Sequence, residues 1–210
     1  ATYPLRVGEA KLWLRTKDGT AVGNPVLLYA AATARVRGVH PQSGPRKGGT
    51  YVHAFVEDVP SRSAELGYLR CRFNASVVAA TYVNRSALSC IAPPLDGADV
   101  GKMAVTGRVP LEVSSNAQDY SSSGIFFEYT AGARVVGVFP TGGPTAGGVL
   151  VQVEGDSFAA GAARCSFGGV VVSATVVSPR LARCIAPPYD EARAVALEMS
   201  SNGGADFSSS

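Results

Sequence analysis

The chain repeats parts of its own sequence, and this internal repeat limits the possible folds more than any other feature. Residues 35–49 read R-V-R-G-V-H-P-Q-S-G-P-R-K-G-G, and residues 134–148 read R-V-V-G-V-F-P-T-G-G-P-T-A-G-G. Further matching pairs follow in the same order: C-R-F at 71–73 with C-S-F at 165–167, C-I-A-P-P at 90–94 and 184–188, and L-E-V-S-S-N at 111–116 with L-E-M-S-S-N at 197–202. Repetition in a fixed order predicts two copies of one structural unit, whose connecting loops differ in length.

The residues between these blocks are typical of β-strands. Hydrophobic residues make up 46% of the chain and charged residues 17%, with Gly 24 and Pro 13 supplying many turns. Valine-rich or alternating segments predict strands, which we place at Thr50–Val56, Val77–Val83, Val149–Val153 and Val170–Val177. Short strands separated by turn signals predict an all-β protein of tandem immunoglobulin-like β-sandwiches.

The register of the repeat predicts how the chain divides into domains. Residues 34–130 form a complete unit, repeat 1, which ends with a strand at Gly124–Tyr129. Residues 133–210 form repeat 2, which lacks a counterpart of that last strand. Residues 1–30 resemble the C-terminal strands of a preceding repeat, so the chain reads as a window from a longer array. In an alternative interpretation, these N-terminal strands complete the last domain of a neighbouring chain by strand addition.

The motif blocks resemble the IPT/TIG domain, an immunoglobulin-like domain of E-set type. The resemblance rests on V-x-x-[VF]-x-P-x-x-G-P-x-x-G-G, C-x-F, C-x-A-P-P and the Ser-Asn strand, all of which occur twice. IPT/TIG domains occur in plexins, growth-factor receptors and large protist or green-algal surface proteins, including flagellar, mastigoneme-like glycoproteins. The resemblance therefore implies a non-catalytic structural or adhesive segment of a large extracellular or ciliary-surface glycoprotein that forms part of a fibre or filament. The alternative is a ligand-binding ectodomain segment of a cell-surface receptor.

The four cysteines fall two to a repeat at the same spacing. We expect Cys71 to pair with Cys90 and Cys165 with Cys184, each bridge joining neighbouring strands of one domain. Disulfides persist in secreted and surface proteins and are rare in the cytosol. The alternative is four buried free thiols in a cytosolic protein. A zinc site is not indicated, because the sequence contains no C-x-x-C motif.

Two N-glycosylation sequons occur in repeat 1, Asn74-Ala75-Ser76 and Asn84-Arg85-Ser86. Asn74 aligns with Gly168 of repeat 2, so we expect a hairpin turn that requires positive φ. We expect both asparagines to carry glycans. The alternative is that they are turn residues followed by serine by chance.

We find no pattern that indicates catalysis. The two histidines, His40 and His53, belong to no recurring nucleophile set. The glycine pairs precede strands rather than helices, so they do not indicate a phosphate site. Asp96, Asp99, Asp190 and Glu191 follow the Pro-Pro motifs without the regular spacing of a calcium loop, so solvated loops are favoured over a Ca²⁺ site.

The charge and hydropathy of the chain limit the classes of partner that we expect. The net charge is only +3, the cations are not clustered, and no apolar run is long enough to span a bilayer. We therefore expect no enzyme activity, no cofactor, no metal, no nucleic acid and no direct membrane insertion. The expected partners are other copies or chains of a surface fibre, with glycans as a further class, at an extracellular location.

Overall fold

The computed structural model describes residues 8–30, 34–95 and 107–209, and this part of the chain is all-β apart from one short helix. The predicted fold class is confirmed. A first hairpin consists of β1 (Gly8–Arg15) and β2 (Ala21–Ala30), which pair antiparallel. Its apolar side chains Leu12, Trp13 and Leu14 are exposed, so they contribute to neither of the two cores.

Repeat 1 contains eight strands and the helix α1 (Ser61–Glu65). The strands are β3 (Arg35–His40), β4 (Ser43–Pro45), β5 (Tyr51–Glu57), β6 (Arg70–Phe73), β7 (Ser76–Asn84), β8 (Ala87–Ile91), β9 (Arg108–Ser114) and β10 (Phe126–Thr130). They hydrogen-bond in the order β3-β5-β8-β7-β6-β9-β10-β4. The first half of β7 pairs with β6 and its second half with β8, so this one strand belongs to both layers of the sandwich.

The core of repeat 1 follows from the alternation of its strands. In β5, Val52, Ala54 and Val56 are buried while the residues between them face outward. Phe73 and Phe127, from β6 and β10, are among the largest fully buried side chains, and their rings meet edge to face with centroids 5.5 Å apart. Their contact packs β6 against β10 within the core.

Repeat 2 reproduces this arrangement with six strands. They are β11 (Arg134–Phe139), β12 (Leu150–Asp156), β13 (Arg164–Phe167), β14 (Val170–Ser178), β15 (Leu181–Ile185) and β16 (Leu197–Ser200). Their order, β11-β12-β15-β14-β13-β16, is that of repeat 1 without counterparts of β10 and β4. Among the residues described, the sheet therefore ends at β16.

The paired glycines and the Ala-Pro-Pro motif, which the sequence presents as separate turn signals, contact each other. Gly49 donates a backbone hydrogen bond to the carbonyl of Ala92 at 2.9 Å, and Gly148 does the same to Ala186. A Cβ on Gly48 would lie 2.6 Å from the backbone of Pro93, and a Cβ on Gly147 would lie 2.7 Å from the backbone of Pro188. The two motifs recur together because the backbone of Ala-Pro-Pro packs against a position where only a glycine fits.

Gly48→Ala is expected to destabilise repeat 1 by about 2 kcal/mol or more, because strained backbone costs about 1–3 kcal/mol and the added methyl has no space. Gly48 has a φ of +74° and a Cβ would meet backbone, whereas Gly49, with a φ of +93°, has open space around it. Gly49→Ala is the matched control, since it adds only the backbone strain. Urea denaturation of both variants checks this, and equal losses would contradict the contact.

The Gly-Pro motif of repeat 1 lies on a strand rather than in a turn. Ser43–Pro45 forms β4, which pairs parallel with β10. The glycine at position 44 is buried against Thr50 and Phe127. Its small size therefore serves packing at this edge of the sheet.

Candidate functional site

Both cysteine pairs are joined as disulfides in the structure, Cys71 to Cys90 and Cys165 to Cys184. All four residues are buried, and the Cα atoms of each pair are 6.4 Å apart. The expectation that each bridge joins neighbouring strands was wrong. Cys71 lies on β6 and Cys90 on β8, and β7 lies between them in the order of strands. Because β7 passes from one layer to the other, the bridge connects the two layers of the sandwich.

The two sequons lie at opposite ends of β7. Asn74 occupies the β6–β7 turn with a φ of +54°, and Gly168 has a φ of +51° at the equivalent turn, as the alignment predicts. Asn84 ends β7 with its side chain exposed. Its Oδ1 accepts a hydrogen bond from the backbone N–H of Ser86 at 2.8 Å. A glycan on Nδ2 of Asn84 would leave this bond in place.

The second sequon is flanked by an exposed ion pair. Arg85 donates to Asp58 Oδ1 at 2.8 Å, and this hydrogen bond raises the pKa of the Arg85 guanidinium above its ordinary value. The pair links the end of β7 to the segment after β5. Exposed pairs of this kind contribute little stability.

A serine–asparagine network, which the sequence analysis did not identify, recurs in both repeats. Ser121 Oγ accepts a hydrogen bond from the backbone N–H of Val113 at 3.0 Å, and Ser208 accepts one from Met199 at the same distance. Asn116 Nδ2 donates to Asp119 at 2.8 Å in repeat 1. The sequence signal for this network is that the Ser-Ser-Asn segment and the serine run after it occur in both repeats.

In repeat 2, this network also contacts repeat 1. Asn202 Nδ2 donates to the carbonyl oxygen of Ser43 at 2.9 Å and to Asp206 Oδ2 at 2.7 Å. The hydroxyl of Thr50, a fully buried residue, donates to the same carboxylate at 2.7 Å. A cleft of about 550 Å³ lies beside this contact, and its lining includes Arg46, Lys47 and Arg134. The repeats are therefore joined by a polar contact as well as by the chain.

Thr50→Val is expected to weaken the contact between the repeats by about 1 kcal/mol, the usual net value of one hydrogen bond. Repeat 2 has Val149 at the equivalent position, so the fold accepts valine there. The carboxylate of Asp206 keeps its bond from Asn202. Small-angle scattering should detect a wider range of inter-repeat angles in the variant, with Tyr51→Phe at the adjacent position, the first residue of β5, as a control. An unchanged scattering profile would show that the hydroxyl does not orient the repeats.

The remaining candidate residues form no catalytic set within the part of the chain that the structure describes. Asp96 and Asp99 lie outside the described residues, while Asp190 and Glu191 lie on an exposed loop. His40 is exposed, and His53 contacts the ring of Tyr51. Within residues 8–30, 34–95 and 107–209, no group of three or more potential metal ligands occurs. In the same residues, no helix is long and apolar enough to cross a bilayer.

The comparisons with known proteins agree with this architecture. The sequence model of the IPT/TIG domain matches residues 133–210, which are the residues of repeat 2. Plexin-2 of Caenorhabditis briggsae is 28% identical over 144 residues, covering 66% of this chain but 7% of its own length.

Two structures of the plexin A4 extracellular region share the fold of this chain. They were described with domains 1 to 10 and 1 to 8, and they give TM-scores of 0.53 and 0.50. Each is 16% identical and covers 82% of this chain, whereas this chain covers 15% and 17% of theirs. At this identity the similarity establishes the immunoglobulin-like fold.

Proposed function

We propose that this chain is a non-catalytic segment of the extracellular region of a cell-surface receptor. Its IPT/TIG repeats would space the receptor away from the membrane and present binding surfaces. The observation that carries the proposal is the similarity to Plexin-2 over 144 residues. The fold shared with the plexin A4 extracellular region supports it. This chain spans 7% of Plexin-2, so any activity or partner of a whole receptor belongs to the proposal only.

The comparisons favour the receptor over the fibre. The sequence led us to expect a structural or adhesive segment of a surface filament, with a ciliary surface as one location. The similar proteins are plexins, which agree with the receptor alternative. Partners for either function remain a proposal, and we place them on the exposed faces of the two sandwiches.

An extracellular location is supported by the disulfides as well as by the plexin similarity. Two buried bridges are present, and such bridges persist in oxidising compartments. In such a compartment Asn84, which is exposed, and Asn74, in its turn, are available as glycan acceptors. We propose that both sites are modified.

The location is tested by mass measurement of the segment 1–210, released by proteolysis from the protein purified from its source. We expect a mass gain of four hydrogens on reduction and the loss of two N-linked glycans after glycosidase treatment. Asn74→Gln and Asn84→Gln assign each glycan. Four free thiols with no added sugar would contradict the extracellular location.

The choice between receptor and fibre is tested on the complete native protein. Detergent extraction from membranes as separate molecules that bind a soluble ligand supports the receptor. Recovery in detergent-insoluble filaments, with these repeats along their length in electron micrographs, contradicts it.

A further inference from the structure

The two histidines of this chain lie opposite each other on neighbouring strands of repeat 1. They are the only histidines in the 210 residues. His40 is the last residue of β3, and the antiparallel register places it directly opposite His53 of β5. Residues in such a pair have Cβ atoms about 4.5–5.5 Å apart, and their side chains share one face of the sheet. The fold therefore brings together two imidazoles that are distant in sequence.

Both side chains point away from the core. The residues on either side of His53, Val52 and Ala54, are fully buried, so His53 lies on the outer face of β5. His40 is exposed, whereas the preceding residue, Val39, is buried. The histidine pair is thus accessible to ions in solution.

The ring of His53 is positioned by Tyr51. The two rings meet edge to face with their centroids 5.2 Å apart. The Tyr51 hydroxyl donates to Ser89 Oγ at 2.7 Å, and Ser89 lies directly opposite His53 on β8. Since β5 lies between β3 and β8, Ser89 is on the far side of His53 from His40. One of the two imidazoles is therefore already held in place, which reduces the entropy that is lost when both bind the same ligand.

Uncharged residues surround the pair. Tyr51 and Phe55 are the next outward residues along β5, Ser89 is opposite on β8, and β3 is the first strand in the order of the sheet. None of these neighbours is a cation that would repel a metal ion. Within the described residues, neither imidazole takes part in a hydrogen bond or an ion pair. The ring nitrogens are thus available to a ligand from solution.

Two imidazoles at this spacing suit a divalent transition-metal ion. Imidazole nitrogen is a common ligand of Zn²⁺, Cu²⁺ and Ni²⁺, and its distance to zinc is about 2.0–2.1 Å. All four cysteines are joined in disulfides, so no thiolate competes for the ion. Ca²⁺ and Mg²⁺ prefer oxygen ligands, so the pair selects against them.

Repeat 2 has no such pair. Its equivalent strands place Phe139 opposite Gln152 in the same register. The fold therefore does not require histidine at either position, and a phenylalanine ring offers no lone pair to a metal ion. The histidine pair is a property of repeat 1 and not of the domain in general.

We propose that His40 and His53 form a surface site for one divalent transition-metal ion of the class of Zn²⁺ and Cu²⁺, bound through one nitrogen of each imidazole. A four-coordinate ion keeps two further positions for water or for a donor from another molecule. The sequence alone led us to expect no metal, because it does not show that the two histidines meet. Both ligands and the residues around them lie within repeat 1.

The test is calorimetric titration of the intact chain with Zn²⁺, Cu²⁺ and Mg²⁺ in a buffer that does not bind metals. We expect one Zn²⁺ ion per chain, tighter binding of Cu²⁺ at the same site, as the general order of affinities for these ions requires, and no response to Mg²⁺. Nuclear magnetic resonance should show that Zn²⁺ shifts the imidazole signals of both histidines.

Three variants locate the site. His40→Phe and His53→Gln introduce the residues of repeat 2, and each should weaken Zn²⁺ binding at least about tenfold, which corresponds to about 1.4 kcal/mol or more. Phe55→Gln, at the next outward position of β5, is the matched control and should leave the affinity unchanged. Thermal unfolding without metal reports whether each variant folds.

The reverse exchange keeps the test valid if a histidine variant does not fold. Phe139→His together with Gln152→His places the same pair on β11 and β12 of repeat 2. The chain should then bind two Zn²⁺ ions instead of one. A folding defect cannot produce this result, because it is a gain of binding.

Three results would overturn the proposal. The first is an absence of saturable binding of Zn²⁺ and Cu²⁺ at submillimolar concentration. The second is full affinity in His40→Phe or His53→Gln, which would indicate an adventitious ion only. The third is a folded Phe139→His, Gln152→His chain that binds no second ion, which would show that this register does not bring two imidazoles to one metal. None of these results bears on the proposed receptor function, which is supported by the plexin similarity.

Discussion

Phe127→Ala should lower the free energy of unfolding of repeat 1 by about 3–5 kcal/mol, the usual cost of removing a buried aromatic side chain. Phe127 is fully buried, with 0% of its surface exposed, and its ring packs edge to face on both Phe73 and Tyr129. Removing the ring also weakens the packing of β10 on the core. It thereby weakens the attachment of β4, whose one neighbour among the described strands is β10. The loss should be measured from hydrogen exchange of core amides on β5 and β8 in increasing urea.

The adjacent residue provides the control for this prediction. Phe126 is 39% exposed and its ring is covered by the guanidinium of Arg108. Phe126→Ala should therefore cost about 1 kcal/mol or less. Core amides of repeat 2 should be unaffected by either change. Equal effects of the two substitutions would mean that β10 is not held by its inward face.

The double substitution Cys165→Ala with Cys184→Ala should lower the free energy of unfolding of repeat 2 by about 3 kcal/mol. In the chain-entropy account, a bridge between residues 19 positions apart restricts the unfolded chain by this amount. Repeat 2 has the smaller buried core and lacks a counterpart of Phe127 among the described residues. We therefore expect that it unfolds largely at physiological temperature without its bridge.

The same substitution made in repeat 1, Cys71→Ala with Cys90→Ala, is the matched control. Its bridge closes a loop of the same length, but the core around it is larger and includes Phe127. Hydrogen exchange should show loss of protection confined to the repeat that carries the substitution. Loss in both repeats at once would mean that they unfold as one cooperative unit.

Sequence periodicity predicted the strands well because burial on one face imposes alternation over a short stretch of chain. The cysteine partners could be proposed for a different reason, namely that their spacing recurs. The position of the bridges was predicted wrongly, because nothing in the sequence indicates that β7 pairs with β6 in its first half and with β8 in its second. Whether a strand bends from one layer to the other depends on contacts with distant strands and not on its local sequence.

Contacts between distant segments were the least predictable. Ser43–Pro45 becomes a strand only because β10, far along the chain, lies beside it. The hydrogen bond from Thr50 to Asp206 joins two repeats, and its one signal was a threonine where repeat 2 has a valine. Tyr51 on β5 is exposed, whereas Tyr129 on β10 is buried. Aromatic residues on outward strand positions have no local signature that distinguishes them from core.

The layer-crossing bridges also determine how the chain would respond to a pulling force. Tension applied to the two ends of a repeat passes from Cys71 directly to Cys90 through the sulfur atoms, so β7 and its two turns bear none of it. At about 3.4 Å for each residue, the 19 residues of the bridged segment withhold roughly 60 Å from the extended length of each repeat. Reduction of the bridges would release that length, which makes the chain more extensible in a reducing medium than in an oxidising one.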